Sequence, residues 1–485
     1  MTKFSKYGIK EWVSLPKSQS IDSIAKKMKA KIAMLFLLTL LLVTCSSSTE
    51  KPNPVSTKDS NSLTVWWTKG FYPGEDEGIK KIVANWERES GMEAELTILS
   101  EDENVLRTQS SLETGNPPDI VYNRSVDVTL SPLYASEGKL ADVSDVVQPM
   151  KNIYTKTALE SVYLYNNVAK KRSYYAVPIQ QQTNHIHYWE DILEDIGLSS
   201  SDIPSEWDAF WEFWQRAQNV AREKGYPEIY GLGLNLSAEA SDTFYQMEQT
   251  LEAYNVRLLD ENGKLLLDDP QVRQGAIAVI TWLTDLYREG YIPPDAVDWD
   301  PPDNNVAFLN RKLLMVCNGT LSLPASQRQD ADTYKKRMKT IEYPRKADGE
   351  PSKYQVSVKQ VLTFSQSKHP EAAKDFLSYL IQPENLAEYL EGSAGRYFPV
   401  MPQLLAEPFW QDESDPHISA AAKQFREGAT RPMYQALNPA YSQVLAENVW
   451  GHALERVVVD DRSPTEAADE AIARIKEIFA QWENT

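Results

Sequence analysis

Apolar positions fall along the chain in two ways: one block at Ile32–Val43, broken only by Thr39, and from Leu63 onward short alternations and helical stripes. The block is twelve residues long. That is short of the roughly 20 residues that span about 30 Å of hydrocarbon at about 1.5 Å per helical residue. Lys26, Lys27, Lys29 and Lys31 precede it. Basic then apolar, in that order, predicts an export signal over residues 1–44 rather than a membrane anchor. Residues 1–27, with Pro16, Asp22 and several serines, do not suit a signal and point to Met28 as the translation start.

Beyond residue 62 the pattern is that of a folded chain. Leu63-Thr-Val-Trp-Trp67 has the β-branched and aromatic content of a first strand. After a loop with Gly70, Pro73 and Gly74, the residues Ile79, Ile82, Val83 and Trp86 recur at helical spacing until Gly91. Residues 95–99 predict a second strand, 104–112 a helix, and Ile120-Val-Tyr122 a third strand. Residues 174–179 predict a short strand whose Pro178 suits a crossover, and 185–189 continue extended. Ser205 and Asp208 are expected to cap a helix bearing the stripe Trp207, Phe210, Trp211, Trp214 and Ala217, whose unbroken period assigns these side chains to core. Asp269 before Pro270 starts another helix, with Val272, Ala276, Val279, Ile280, Leu283 and Leu286 on one side and Gly290 at its end. Further helices are predicted over 370–380 and 464–482. This mixture of strands and helices, with no repeat of solenoid length, predicts two α/β lobes.

Leu42-Val-Thr-Cys45 resembles a bacterial lipobox, whose cysteine carries lipid in the mature protein; Thr44 is a less usual neighbour for it. Residues 45–62 are rich in Ser, Thr, Pro, Asn and Lys and read as a lipid-anchored flexible linker. Eight of the 50 basic and two of the 69 acidic side chains precede Cys45, leaving 42 against 67 and a net charge of −25. Such a field repels phosphate backbones and argues against a nucleic-acid partner. Cys317 is the one cysteine besides Cys45, so no internal disulfide is expected after lipidation, and its apolar neighbours Leu313–Val316 mark it as a buried small hydrophobe.

Enzyme and cofactor signatures are weak. Gly392-Ser-Ala-Gly395 is not Gly-x-Ser-x-Gly, and Gly231-Leu-Gly233 lacks a third glycine, so neither a nucleophile elbow nor a nucleotide cofactor is expected. His185 and His187 have no third histidine nearby, and no metal is expected. A secreted glycoside hydrolase is the alternative of another class, but no motif sets two of the many acids at a mechanical spacing.

Several phrases, in order, carry a resemblance: the lipobox, Trp66-Trp67, Gly115-Asn-Pro-Pro-Asp119-Ile-Val, Gly138-Lys-Leu-Ala-Asp142, Tyr175-Ala-Val-Pro178 with Tyr188-Trp189, Ile196-Gly-Leu198, Pro204-Ser-Glu-Trp-Asp208, and Ala307-Phe-Leu-Asn-Arg-Lys-Leu-Leu-Met315 leading to Asn318-Gly319. No one of them is specific alone, but together they cover nearly the whole mature chain. The chain resembles the family 1 extracellular solute-binding proteins, the group that includes the maltose-binding protein. The resemblance implies a two-lobed periplasmic-binding-protein-like fold of type II, with hinge and interlobe cleft, in an exported, lipid-anchored, monomeric protein. It would deliver a carbohydrate to separate ABC permease subunits in the membrane, without enzymatic activity. The lobes are expected at 61–178 with 358–405, and at 179–357 with 406–485. A polyamine or other small polar solute is the alternative cargo.

Open α/β sheets bind ligands beyond the carboxyl ends of their strands, and sugars call for paired donors and acceptors with aromatic planes. By resemblance, Trp67 and Lys69 line the first lobe's side of the cleft, and Asn123 and Arg124 end a strand where relatives contact ligand. Gln180, Gln181, Gln182 and Asn184 form the densest amide cluster in the chain, suited to hydroxyls. Asn318 and Thr320 resemble a turn that often precedes a ligand-stacking Trp, but Leu321 and Ser322 follow here, which makes Trp299, flanked by acids that include Asp303, the candidate replacement. Arg396 and Tyr397 match a further contact position. Arg124, Lys69 and Arg396 together favour a neutral or anionic solute.

Overall fold

The computed structural model describes residues 62–483. The export signal, Cys45 and all of the expected linker except Ser62 lie outside the described residues. Among the described residues no helix is long and apolar enough to cross a membrane.

The first sheet grows from β1 (Ser62–Thr68), β2 (Glu93–Leu99) and β3 (Ile120–Tyr122), with β1 parallel to both neighbours. Between β1 and β2 the helix Pro73–Ser90 buries Ile79, Ile82, Val83 and Trp86, and Gly91 ends it at φ 72°. The helix Glu101–Glu113 follows β2. Asp119, last residue of the Gly-Asn-Pro-Pro-Asp phrase, fixes the entry to β3: one carboxylate oxygen accepts from the Thr64 amide and hydroxyl at 2.8 Å, the other from the Ser367 hydroxyl at 2.6 Å. Burial would raise this carboxyl, but the hydrogen bonds from Ser367, Thr64 and His369 outweigh it and lower its pKa.

A hairpin of β4 (Tyr163–Asn166) and β5 (Lys171–Tyr174) leads to β6 (Val177–Gln182). The strand expected over 174–179 thus begins later and runs on through the glutamines. A second sheet holds β7 (His185–Trp189), β8 (Tyr230–Gly233), β9 (Leu313–Asn318) and β10 (Met338–Ile341), in the order β10-β7-β9-β8. Cys317 is buried in β9, where burial pushes its thiol up to about 12. The helix Trp207–Glu223 buries its whole predicted aromatic stripe. Its N-cap is Glu206, with no side-chain cap bond, so neither Ser205 nor Asp208 caps it; Asp208 lies in the first turn, beyond the capping position. Asp269 does cap the helix Pro270–Arg288, accepting from the Gln271 amide at 2.9 Å.

Two separate hydrophobic cores make the two lobes. The chain passes between them three times. Val177 and Ile179 of β6 belong to the first core and Ile186 of β7 to the second. In β11 (Lys353–Thr363), Tyr354 packs in the second core and Val356 in the first. The last passage is β12 (Ala429–Pro432), between Phe425 of the first core and Met433 of the second. The three passages are hydrogen-bonded together, β11 antiparallel to β6 and to β3 and parallel to β12. The helix Ile418–Glu427, counted by sequence with the second lobe, packs Ile418, Ala421, Ala422 and Phe425 into the first core. An amphipathic stripe says that a helix packs, not against which core.

A buried histidine chain bridges the lobes beside these strands. His187 Nδ1 and His417 Nδ1 share the Thr340 hydroxyl at 2.8 and 2.6 Å, and His185 Nδ1 bonds Gln424 Oε1. Burial pushes His185 and His417 down to about 4, so the network is neutral at ordinary pH.

Candidate functional site

A cavity of 720 Å³ opens between the lobes. Its first wall is built from turns at the carboxyl ends of β1 and β3. After β1, Phe71 and Tyr72 turn toward the cavity because the next helix holds them: Glu75 Oε1 accepts from the Phe71 and Tyr72 amides at 2.9 and 3.1 Å, and Asp76 from the Gly70 amide at 2.8 Å. A Cβ on Gly70 would stand 2.5 Å from that of Glu75, so the turn closes only on glycine. After β3, Arg124 donates to the Lys69 carbonyl at 2.6 Å and pairs with Glu101 at 2.8 Å.

Phe71 is 55 % exposed. The guanidinium of Arg396 lies 3.4 Å from its ring centroid and that of Arg124 4.4 Å, so one ring orders two cations. Lys359 of β11 reaches the cavity from the hinge, bonded to Asp127 at 3.1 Å and to the Ser357 hydroxyl at 2.7 Å. Burial disfavours its charge, but Asp127 more than compensates and raises its pKa.

The second wall comes from the helix Ser241–Ala253 and the turn after β9. Ser241, Asp242, Phe244 and Tyr245 line the cavity with Asn305, Asn318, Gly319 and Thr320. The Asn318 amide donates to Asn305 Oδ1 at 2.6 Å, and Asn318 Oδ1 accepts from the Thr320 amide at 3.0 Å. Asp242 accepts from Asn304 at 2.8 Å, and burial pushes its carboxyl up to about 6.

Of the residues singled out by sequence, the structure brings Arg124, Gln182, Asn318, Thr320, Arg396 and Tyr397 to the cavity. The others stand elsewhere. Trp67 is 1 % exposed, stacked on Tyr122 at 4.5 Å and donating to the Tyr389 hydroxyl at 3.1 Å, so it supports the first wall from behind. Lys69 is exposed and offers Arg124 its carbonyl. Asn123 is buried, its Oδ1 accepting from the Ser125 amide at 2.8 Å and its amide donating to the Glu101 carbonyl at 3.1 Å.

Apart from Gln182, the amides of the 180–184 stretch serve the fold. Gln180 donates to the Tyr122 hydroxyl at 2.6 Å and Gln181 to the Pro399 carbonyl at 2.7 Å, while Asn184 donates to the Tyr245 carbonyl at 2.9 Å. Trp299 is 3 % exposed and borders a different hollow of the second lobe, with Asp303 and Tyr230; it does not replace a stacking side chain in the cleft. Phe71, Tyr72, Asp242 and Tyr245 were missed. The Gly-Phe-Tyr-Pro run after a first strand was a usable signal for Phe71 and Tyr72; Asp242 and Tyr245 lie on an ordinary helix and gave none.

Comparison with known proteins gives the site a context. The multiple sugar-binding protein of Streptococcus mutans is 22% identical over 387 residues, covering 75% of this chain and 81% of its own. The structure of an ABC transporter solute-binding protein from Thermotoga lettingae bound with α-D-tagatose superposes with TM-score 0.69 at 19% identity, covering 86% of this chain and 100% of that one. Maltose-bound MalE3 of T. maritima superposes with TM-score 0.66 at 17% identity, over 86% of this chain and 100% of that one. These likenesses show a shared two-lobed fold. The family model for bacterial extracellular solute-binding proteins matches residues 81–420, most of the described chain, and the protein belongs to that family.

Proposed function

We propose that this protein captures a saccharide between its lobes and delivers it to the permease of an ABC importer, tethered outside the cell membrane by lipid on Cys45. The observation that carries this is the 720 Å³ interlobe cavity, whose walls mix aromatic rings with amides, hydroxyls and guanidinium groups. Small-ligand sites commonly measure about 300–1,000 Å³, and this composition suits a ring with many hydroxyls. The S. mutans relative is named for sugar binding, and the T. lettingae neighbour holds a sugar.

Arg124, Gln182, Asn318, Thr320, Arg396 and Tyr397 are the proposed contacts, joined by Tyr72 and Tyr245. The lobes are proposed to close about the three strand passages, and closure is the state the permease recognises. Arg396, which has no carboxylate ion pair among the described residues, opposes a polyamine. The protein acts as a monomer and leaves its cargo chemically unchanged. A thermal-shift screen of the purified protein against sugars, polyols, polyamines and amino acids tests this, with reducing-sugar release followed in parallel. Ligand that binds only the native state raises Tm by mass action. A shift with saccharides and no release is the expected result; release, or a shift with cations alone, overturns it.

A further inference from the structure

The cations at the cleft differ in how their charge is met. Arg124 has Glu101 at 2.8 Å, and Lys359 has Asp127 at 3.1 Å. Arg396 has no carboxylate partner among the described residues, and its Nε is a buried donor without an acceptor. It cannot relieve this by losing its proton, because an arginine stays charged in a protein. The neighbouring Glu75, whose carboxyl burial raises, feels the opposing, lowering charge of Arg396 but makes no ion pair with it, and its Oε1 is turned to the amides of Phe71 and Tyr72.

A second guanidinium stands close behind. Arg328 Nη2 would lie 3.7 Å from a Cβ on Gly395, its Nε and Nη2 also lack acceptors, and its ion pair with Asp415 is long, at 3.9 Å. Arg396 at the cleft and Arg328 behind it thus bring together two guanidinium groups and three buried N–H donors without acceptors, with the Glu75 carboxylate nearby but not ion-paired and that of Asp415 distant. Phe71, at 3.4 Å, fixes the plane of Arg396, so little side-chain freedom remains to be lost when a ligand arrives.

We propose that the saccharide taken by this cleft carries an anionic substituent, a uronate carboxylate or an acid ester, seated on the guanidinium of Arg396. This rests on the reading of the protein as a sugar binder. The anion supplies the acceptors that the corner lacks, through charge-assisted and planar two-point bonding. Asp242 on the opposite wall is already engaged by Asn304. Capture of an anion by so acidic a protein runs against its overall field, which salt screens within about 8–10 Å, so attraction comes from this corner alone.

Titration calorimetry on the purified protein with a galacturonate disaccharide, its neutral galactose counterpart and a phosphorylated or sulfated member of the same skeleton tests the proposal. An anionic member is expected to bind about tenfold or more tightly than the neutral one, and R396Q to bring that ratio close to one. Preference for the ester over the uronate identifies the anion as an ester and sustains the proposal. Equal or tighter binding of neutral sugars by the unaltered protein overturns it, as does an R396Q variant that weakens both classes alike. If Arg396 instead closes the cleft onto Asp242, D242N weakens neutral and anionic sugars together, which also overturns it. Absence of any saccharide binding, with another solute class binding, marks failure of the sugar reading itself.

Discussion

The two walls of the cleft carry opposite charge. The first presents Arg124 and Arg396 on the ring of Phe71, with Lys359 at the hinge; the second presents Asp242 among amides and hydroxyls. Arg124 and Lys359 are held by Glu101 and Asp127, so those charges belong to the architecture, whereas Arg396 is left to whatever enters. A cleft residue's charge alone therefore says little about cargo. What informs is whether that charge is already answered within the protein.

The largest test of this division is at the hinge. Lys359→Met leaves Asp127 buried and unpaired, and should cost about 3–5 kcal/mol in denaturant unfolding. The double variant K359M/D127N should recover part of that loss, since no uncompensated charge remains. A loss of similar size is expected for Trp67→Ala, about 3–5 kcal/mol, because this wholly buried ring is removed from the first core.

The second wall is tested by pH. Burial pushes the Asp242 carboxyl from the ordinary 3.8 up to about 6 in the folded protein, so between these the unfolded chain has released a proton that the folded one keeps. Its contribution to stability is present below 3.8 and is lost as pH rises through about 6, with a slope of at most about 1.4 kcal/mol per pH unit. D242N should remove that slope, which appears as the difference between the two proteins' Tm profiles. The smallest expected effect is Phe71→Ala. This half-exposed ring contributes little to folding, but both arginines lose their support, and affinity for cargo should fall several-fold, by about 1 kcal/mol, with Tm nearly unchanged.

Much of the fold was legible because it rests on local pattern. β1, the helix stripe from Ile79 to Trp86 and the Asp269-Pro270 helix start all follow from spacing and capping chemistry. The site was legible where it follows or ends a strand, at Arg124, at Gln182 and at Asn318 with Thr320, and at Arg396 and Tyr397 through the family resemblance alone. The glutamines show why the rest was not. Polar side chains gathered in one stretch suggest ligand hydroxyls, yet β6 crosses between two cores, and the amides of Gln180 and Gln181 satisfy polar groups that the crossing itself buries. Sequence spacing records neither that burial nor which helix will face Arg396.

The threefold passage between lobes also governs the order in which the chain acquires structure. Asp127 meets Lys359 across 232 positions, and β3 has no antiparallel neighbour until β11 exists. Contacts so distant in sequence close slowly, because a long loop must be ordered before the contact rewards it. While the ribosome is still short of β11, the N-terminal lobe lacks the strand beside β3 and a large part of its core, from Val356 to Ala436. The first lobe therefore cannot complete its sheet until β11 has been made, and its two halves lock late in synthesis.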